Sequence, residues 1–299
     1  MVPRNILTAF GLASAAVFVT ILMLSAGNAR AASNVLAGSS SCAALGGNWS
    51  STHSVCTVNT LTVNGGDSLT VAKGVTLNVI GKYNSSVWGN FINNGTVINS
   101  SPYGGISFYN GMTNNPGSTL RDMNGSIFFY GHSSNYGAIR IHAVNILIQG
   151  TVVNSGTIYT DKNGRVDTDG GNLTNTPSGV IINRGSINSF ASDYGGLFNA
   201  GTIINYNSID ATYAFVNSGQ IINKPGGTVD NYGTLDNPGV IKNSAALVNH
   251  VASTVNNSGS IIDSCSGTFT NYGALTGNQV VSRCHSNAAS DMPDPSATV

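Results

Sequence analysis

The chain has 299 residues, no formal net charge, and only 8% charged residues. It contains no Glu, three Gln and five Lys, against 38 Asn and 37 Gly. Residues that cover helix surfaces are scarce and residues that accept turns abound, which argues against a helical fold and for many short strands joined by tight turns. Hydrophobic content of 41% excludes a disordered low-complexity chain. No basic patch is present, so the electrostatic footprint of nucleic-acid binding is missing.

Residues 1–31 read as an export signal. Arg4 gives a positive flank, residues 6–27 are uncharged and largely apolar, and Ala29-Arg30-Ala31 fits a peptidase site. An uncleaved signal anchor is the alternative, because the apolar stretch is long enough to span a bilayer. It would be the chain's one contact with a membrane. Without Arg4 and Arg30 the balance is 10 basic against 12 acidic residues, a net charge of −2.

Residues 32–59 carry no repeat and hold Cys42, Trp49 and Cys56, so they read as an N-terminal cap. The other two cysteines, Cys265 and Cys284, lie at the far end. An even cysteine count in an exported chain predicts disulfides, most simply Cys42–Cys56 and Cys265–Cys284, one staple at each end.

Repeats begin after residue 60. Gly74-Val75-Thr76-Leu77-Asn78-Val79 reads as the first rungs, and Asn94-Gly95-Thr96-Val97-Ile98-Asn99 states an N-G-T-I theme. Residues 100–150 are irregular and rich in aromatics (Tyr103, Phe108, Tyr109, Phe128, Phe129, Tyr130 and Tyr136). They are either a lateral insertion or degenerate coils. These rings are core residues on one reading and a sugar-stacking platform on another.

Asn154-Ser155-Gly156-Thr157-Ile158 returns to the theme. The stretch 161–172 then gathers Asp161, Asn163, Asp167 and Asp169 around glycines, a set of hard oxygen donors that suits Ca²⁺. No Glu closes the loop at the twelfth position, and a polar turn without metal is the competing reading. A unit of 16 residues opens at Asn183 and one of 18 at Asn199, the latter with Gly201 and Ile203.

Residues 217–276 divide into three units of 20 with no gap. Asn217, Asn237 and Asn257 open them. Gly219, Gly239 and Gly259 stand at the third position, Ile221, Ile241 and Ile261 at the fifth, and Leu235, Val255 and Leu275 at the nineteenth. A period near 20 predicts an all-β fold: a right-handed parallel β-helix (β-solenoid) spanning 60–276, with disulfide-stapled ends. The Ile and Leu columns then face inward, aligned Asn residues form amide ladders, and the glycines tolerate sharp corners. An antiparallel sandwich is the rival fold, but sandwiches rarely repeat their sequence. Residues 277–299 read as a C-terminal cap and tail.

The pattern formed by Cys42, Gly46-Gly47, Trp49, Cys56-Thr57-Val58, Leu61 to Asn64, Gly66-Asp67, Leu69 to Val71 and Gly74 to Leu77, followed by N-x-G-T-I repeats, resembles secreted archaeal and bacterial repeat proteins. The coils also resemble those of filamentous-haemagglutinin-type adhesins and of the wider pectin-lyase-like β-helix group. The resemblance covers about residues 42–276 and implies architecture rather than activity, since these groups include adhesins, surface-layer components and polysaccharide-cleaving enzymes.

Lyases on such a fold would use Ca²⁺-binding Asp residues with a basic residue as proton acceptor, for which Arg165 and Arg184 stand as nominees. A glycosidase would draw two carboxylates from Asp161, Asp167, Asp169 and Asp193. The five His (53, 132, 142, 250 and 285) are scattered. Seven N-x-S/T sequons (Asn48, Asn84, Asn94, Asn99, Asn124, Asn172 and Asn256) are candidate glycan sites if the host glycosylates exported proteins.

The favoured expectation is a secreted or cell-surface structural or adhesive solenoid with no catalytic residues and no cofactor. Its partners would be an extracellular polysaccharide or envelope proteins, with self-assembly also open. The alternatives are a carbohydrate-binding module and a Ca²⁺-dependent polysaccharide lyase or hydrolase.

Overall fold

The computed structural model describes residues 32–189 and 195–283. The expected leader, Asp193, Cys284, His285 and the tail lie outside them. Contacts divide the chain after Ala32, and the description below concerns the unit that starts at Ser33.

That unit is a parallel β-solenoid. Each coil contributes one strand to each of three sheets, here called A, B and C in the order the chain visits them. They hold 12, 13 and 11 strands. In the coil that starts at residue 90, Asn90–Asn93 lies in sheet A, Thr96–Asn99 in sheet B and Gly105–Phe108 in sheet C. Nearly every pairing is parallel, and each joins a strand to its counterpart one coil away, as in Thr202↔Gln220 through Asn205↔Asn223.

Why these residues form this fold follows from four-residue strands such as Thr202–Asn205 and Gln220–Asn223. Alternate side chains point to opposite faces of a strand, so the second and fourth residues face inward. Burial follows that alternation in most strands. The second position is apolar and builds the core. Ile203, Ile221, Ile241 and Ile261 stack in sheet B, and Leu235 and Val255 in sheet A, all fully buried. Leu275 continues the sheet A column but is only partly buried, near the open end.

The fourth position is Asn wherever it closes a corner with an amide ladder. From Asn93, each Asn of sheet A donates its Nδ2 to the Oδ1 of the next, through Asn114, Asn135, Asn154, Asn175, Asn199, Asn217 and Asn237 to Asn257. These eight bonds are 2.6–2.8 Å long. The same Nδ2 groups also donate to the carbonyl that opens the next coil's sheet B strand, for example Asn217 to Val240 at 3.2 Å. A second ladder at the end of sheet B runs from Thr160 through Asn183, Asn205, Asn223 and Asn243 to Asp263. A third, at the end of sheet C, joins Asn231, Asn249 and Asn271. At the N-terminal end this third corner is apolar instead, with Phe108 and Phe129 stacked 5.6 Å apart.

The role of the corner glycines differs from the one expected. Gly201, Gly219, Gly239 and Gly259 do not adopt the left-handed conformation. They are needed because coils approach closely. A methyl on Gly219, Gly239 or Gly259 would collide with the backbone carbonyl oxygen of Gly201, Gly219 or Gly239, its counterpart one coil earlier, and one on Gly201 would collide with that of Gly179.

The coil length is 20 residues only in places. It is 18 from Asn199 to Asn217 and 24 from Asn175 to Asn199. The 16-residue unit expected at Asn183 is not a coil, because Asn183 belongs to the sheet B ladder and Asn199 to the sheet A ladder. Residues 100–150 are coils in register with their neighbours, not a lateral insertion.

The N-terminal segment starts the solenoid itself: Ser33–Leu36 pairs with 68–71 in sheet A. A helix, Ser39–Ala44, then packs Cys42 beneath an antiparallel pair formed by 48–50 and 55–58. Cys42 and Cys56 form a disulfide with Cα atoms 5.5 Å apart. Gly47 must lack a side chain here, because a Cβ would sit 2.9 Å from both sulfurs. Cys265 is exposed, and its expected partner Cys284 lies outside the described residues. No helix among the described residues is long and apolar enough to cross a membrane. Of the sequons, Asn99 is fully buried and so closed to a glycan.

One ladder position is defective. Asp122 takes the fourth position of its sheet B strand, between Asn99 and Ile141. It is fully buried, and neither carboxylate oxygen makes a well-formed hydrogen bond, although the Val144, Gly125 and Ala143 amides lie close by. Burial pushes its pKa up from 3.8 to about 7, against a smaller lowering pull from the nearby Val144, Gly125 and Ala143 amides and from His142. Ile141 offers this carboxyl no polar partner above it.

Two predictions follow from these packing rules. Asn217→Ala interrupts the sheet A ladder and is expected to cost about 1–3 kcal/mol, and Gly239→Ala at least as much, because the backbones must separate. Urea titration followed by circular dichroism measures both. For Asp122, the folded state holds one more proton than the unfolded chain between pH 4 and 7. Stability therefore falls as pH rises through that window. Asp122→Asn should flatten this part of the melting-temperature profile and raise the melting temperature at pH 7. An unchanged slope would show that Asp122 does not titrate there.

Candidate functional site

The stretch 161–172 does not form a single loop. It runs around one side of a coil, and its donors part company. Asp161 follows the sheet B strand Thr157–Thr160, and its Oδ2 lies 2.6 Å from Nδ1 of His142. Asn163 is exposed in the next turn. Asp167 lies in sheet C and accepts from Arg165 Nε at 2.5 Å and Asn188 Nδ2 at 3.0 Å. Asp169 sits at the following corner and accepts from Gln149 Nε2 at 3.0 Å. Among the described residues no group of three or more His, Cys, Asp or Glu side chains is placed to hold a metal ion.

Outward-facing residues fall into columns, because the first and third positions of most strands face away from the core; third-position Ser107, Asp167 and Asn188 are exceptions and are buried. On sheet C the third position reads Asp167, Asn188, Asp210 and Asp230 on successive coils. Burial raises the pKa of Asp210; the Ser208 hydroxyl, which donates to it at 2.9 Å, pulls the other way, and the charge of Asp230 adds to the rise. Asp230 Oδ1 lies 2.9 Å from His250 Nε2, and the imidazole lies flat on the Tyr232 ring, 3.9 Å between centroids.

On sheet B the third position reads Ile98, Arg121, Arg140, Tyr159 and Ile182. Arg121, Arg140 and Tyr159 line a shallow groove of about 240 Å³ with Thr96 and Thr119, and the His142–Asp161 pair forms its lip. The hydrogen bond from His142 is the main cause holding the Asp161 carboxyl below its ordinary range, with Tyr159 contributing a second one. Arg184, one of the two basic nominees, lies over Tyr159 and Tyr206, 5.9 and 5.2 Å from the ring centroids. Arg165, the other, is on sheet C beside Asp167. The pairing of Arg121 with Arg140 and of Asp210 with Asp230 escapes the sequence reading. Their spacings of 19 and 20 residues gain meaning only once coils are in register.

The aromatic residues divide. Phe108 and Phe129 are core. Trp88, Tyr109 and Tyr130 form an external stack, with centroids 3.6 and 4.8 Å apart and planes within 5°. Rings stacked this way offer edges rather than faces to solvent, so the stack is a poor sugar platform along most of its length.

No protein family, curated protein or solved structure matches this chain.

The His142–Asp161 contact has a direct readout. In a carboxyl NMR titration Asp161 should titrate below its ordinary 3.8, and His142→Ala should move it back upward. The lowered value means that this pair's small contribution to stability is present at neutral pH and fades as pH falls through the Asp161 titration. An unmoved Asp161 in the variant would remove His142 as the cause.

Proposed function

We propose that this chain is an exported, non-catalytic structural or adhesive rod that acts at the cell surface or outside the cell and binds extracellular polysaccharide or envelope proteins through its sheet faces. The observation that carries the reading is the unbroken register of the solenoid. Each outward position recurs about every 4.8 Å along the axis, a spacing suited to contact with an extended polymer. The backbone groups of inner strands are taken up by neighbouring coils, so a partner meets side chains, mostly Ser, Thr, Asn and the columns described above.

Export rests on the N-terminal sequence and agrees with the Cys42–Cys56 disulfide, a bond that persists in oxidising compartments. The carboxylates nominated for chemistry are engaged by neighbours: Asp161 by His142, Asp167 by Arg165 and Asn188, Asp169 by Gln149. That arrangement supports a fixed surface better than a pair of hydrolytic acids.

The test is retention of the secreted chain on a panel of insoluble polysaccharides, with Ca²⁺ or with chelator, and assay of each supernatant for new sugar ends. Retention without release is the expected result. Release of sugar ends would overturn the non-catalytic reading, and release that requires Ca²⁺ would return attention to Asp161–Asp169. Failure to bind any polysaccharide would leave envelope proteins as the partner, to be sought by crosslinking on cells.

A further inference from the structure

We propose that the sheet B groove built by Arg121, Arg140 and Tyr159 binds an acidic polysaccharide, taking the carboxylate or sulfate of one sugar between the two guanidinium groups. The proposal rests on the binding-rod reading and names the ligand class.

The argument starts from an electrostatic cost. Arg121 and Arg140 are direct partners on adjacent parallel strands and occupy the same outward column. Both are exposed. Like charges set directly opposite on neighbouring strands destabilise a sheet. Elsewhere in this column the position is held by Ile98, Ile182, Ile204 and Ile222, and by a single cation, Lys242, with an Ile on either side. Two arginines are therefore not a requirement of the coil.

The local acid offsets them only in part: Arg121 and Asp161 feel each other's charge without forming an ion pair. Asp161 is the one carboxylate lining the groove, and it is hydrogen-bonded to His142 at 2.6 Å. Among the described residues neither Arg121 nor Arg140 takes part in an ion pair. The next cation along this side, Arg184, lies over Tyr159 and Tyr206 and adds to the positive field. An oxyanion between the two guanidiniums would satisfy both, since each presents a planar fork of donors matched to a carboxylate or sulfate.

The remaining lining favours a sugar over an acidic peptide. Thr96 and Thr119 bring hydroxyl side chains to the lining, and Tyr159 and Ile98 bring apolar surface. A sugar ring has the same mixture of hydroxyls and apolar faces. The sheet face offers no free strand edge for a peptide backbone, which is how extended peptides usually gain affinity. At about 240 Å³ the groove is smaller than drug-sized pockets, and its scale suits one ring of a longer polymer.

The full chain would be tested for binding to polygalacturonate, dextran sulfate, uncharged dextran and poly-glutamate by calorimetry at low salt. Binding to polygalacturonate or dextran sulfate is expected, and whichever is tighter identifies the anion as carboxylate or sulfate. Arg121→Ser with Arg140→Ser should weaken it at least ten-fold. Arg121→Lys with Arg140→Lys should fall between, since charge is kept and the fork is lost. Asp210→Asn with Asp230→Asn, on sheet C, should not weaken it.

Equal binding to uncharged dextran, or a double Ser variant within two-fold of the parent, would overturn the proposal. Poly-glutamate binding as tight as the glycans would overturn it in favour of a protein-docking patch. If neutral glycans alone are retained, only this inference falls. If no polymer binds, the polysaccharide part of the broader reading falls with it. Should the Ser variant melt early, the Lys variant, which keeps the long side chains, decides the matter.

Discussion

A side-chain amide inside a protein must find partners or destabilise the fold. This chain places an Asn at the inner corner of coil after coil, so each such amide must be met by another at the same height on the next coil. In sheet A nine residues from Asn93 to Asn257 meet that condition in one continuous run. The ladder thereby sets the register. A strand shifted by one residue would turn its Asn outward and its neighbour inward, and would leave buried amides above and below unpaired. Core columns such as Ile203–Ile261 follow from the same register rather than compete with it. Coil lengths can then vary from 18 to 24 residues, because the extra residues leave at corners while the ladder holds the strands in place.

How much of this was legible depends on where the ladder is uniform. In residues 217–276 every coil has the same length, and the Asn, Gly and Ile positions stand out in the sequence itself. The direction of the inner face and the amide ladders could be read there without coordinates, as could the Cys42–Cys56 pair from the N-terminal segment. Two things hid the rest. The Asn-x-Gly tag marks two different corners, so Asn183 looked like the start of a coil when it closes a sheet B strand. In residues 100–150 the usual corner residue is replaced by Phe108, Phe129, Asp122 and Ile141, so coils of ordinary geometry looked irregular. The glycines were legible as a column, but their cause was not. Contact between Gly219 and the carbonyl of Gly201 is a property of stacked coils and has no signature within one coil.

The Asp161–Asn172 stretch poses the converse problem. Clustering in sequence looks like clustering in space only if the chain turns back on itself. Here it travels across a whole sheet C strand, so Asp161 and Asp169 belong to different corners. Residues that do meet, such as Arg121 with Arg140 or Asp210 with Asp230, are a coil apart and invisible to motif reading.

A solenoid of this kind separates its two tasks. Inward positions are constrained by ladder and core, and outward positions are nearly free, so what distinguishes one coil from another is its outer column. On sheet B that column is Ile at 182, 204, 222 and 262 and carries a single Lys at 242, but two successive Arg at 121 and 140. The inner ladder of the same sheet is intact from Thr160 onward and broken at Asp122 and Ile141, on the same two strands. Asp122 also lies close enough to His142, at the lip of the groove, to feel its charge. Local rules tend to be broken where a sequence answers to something other than stability. The strands with the unpaired inner carboxyl and the paired outer arginines are the part of this rod where that is most evident.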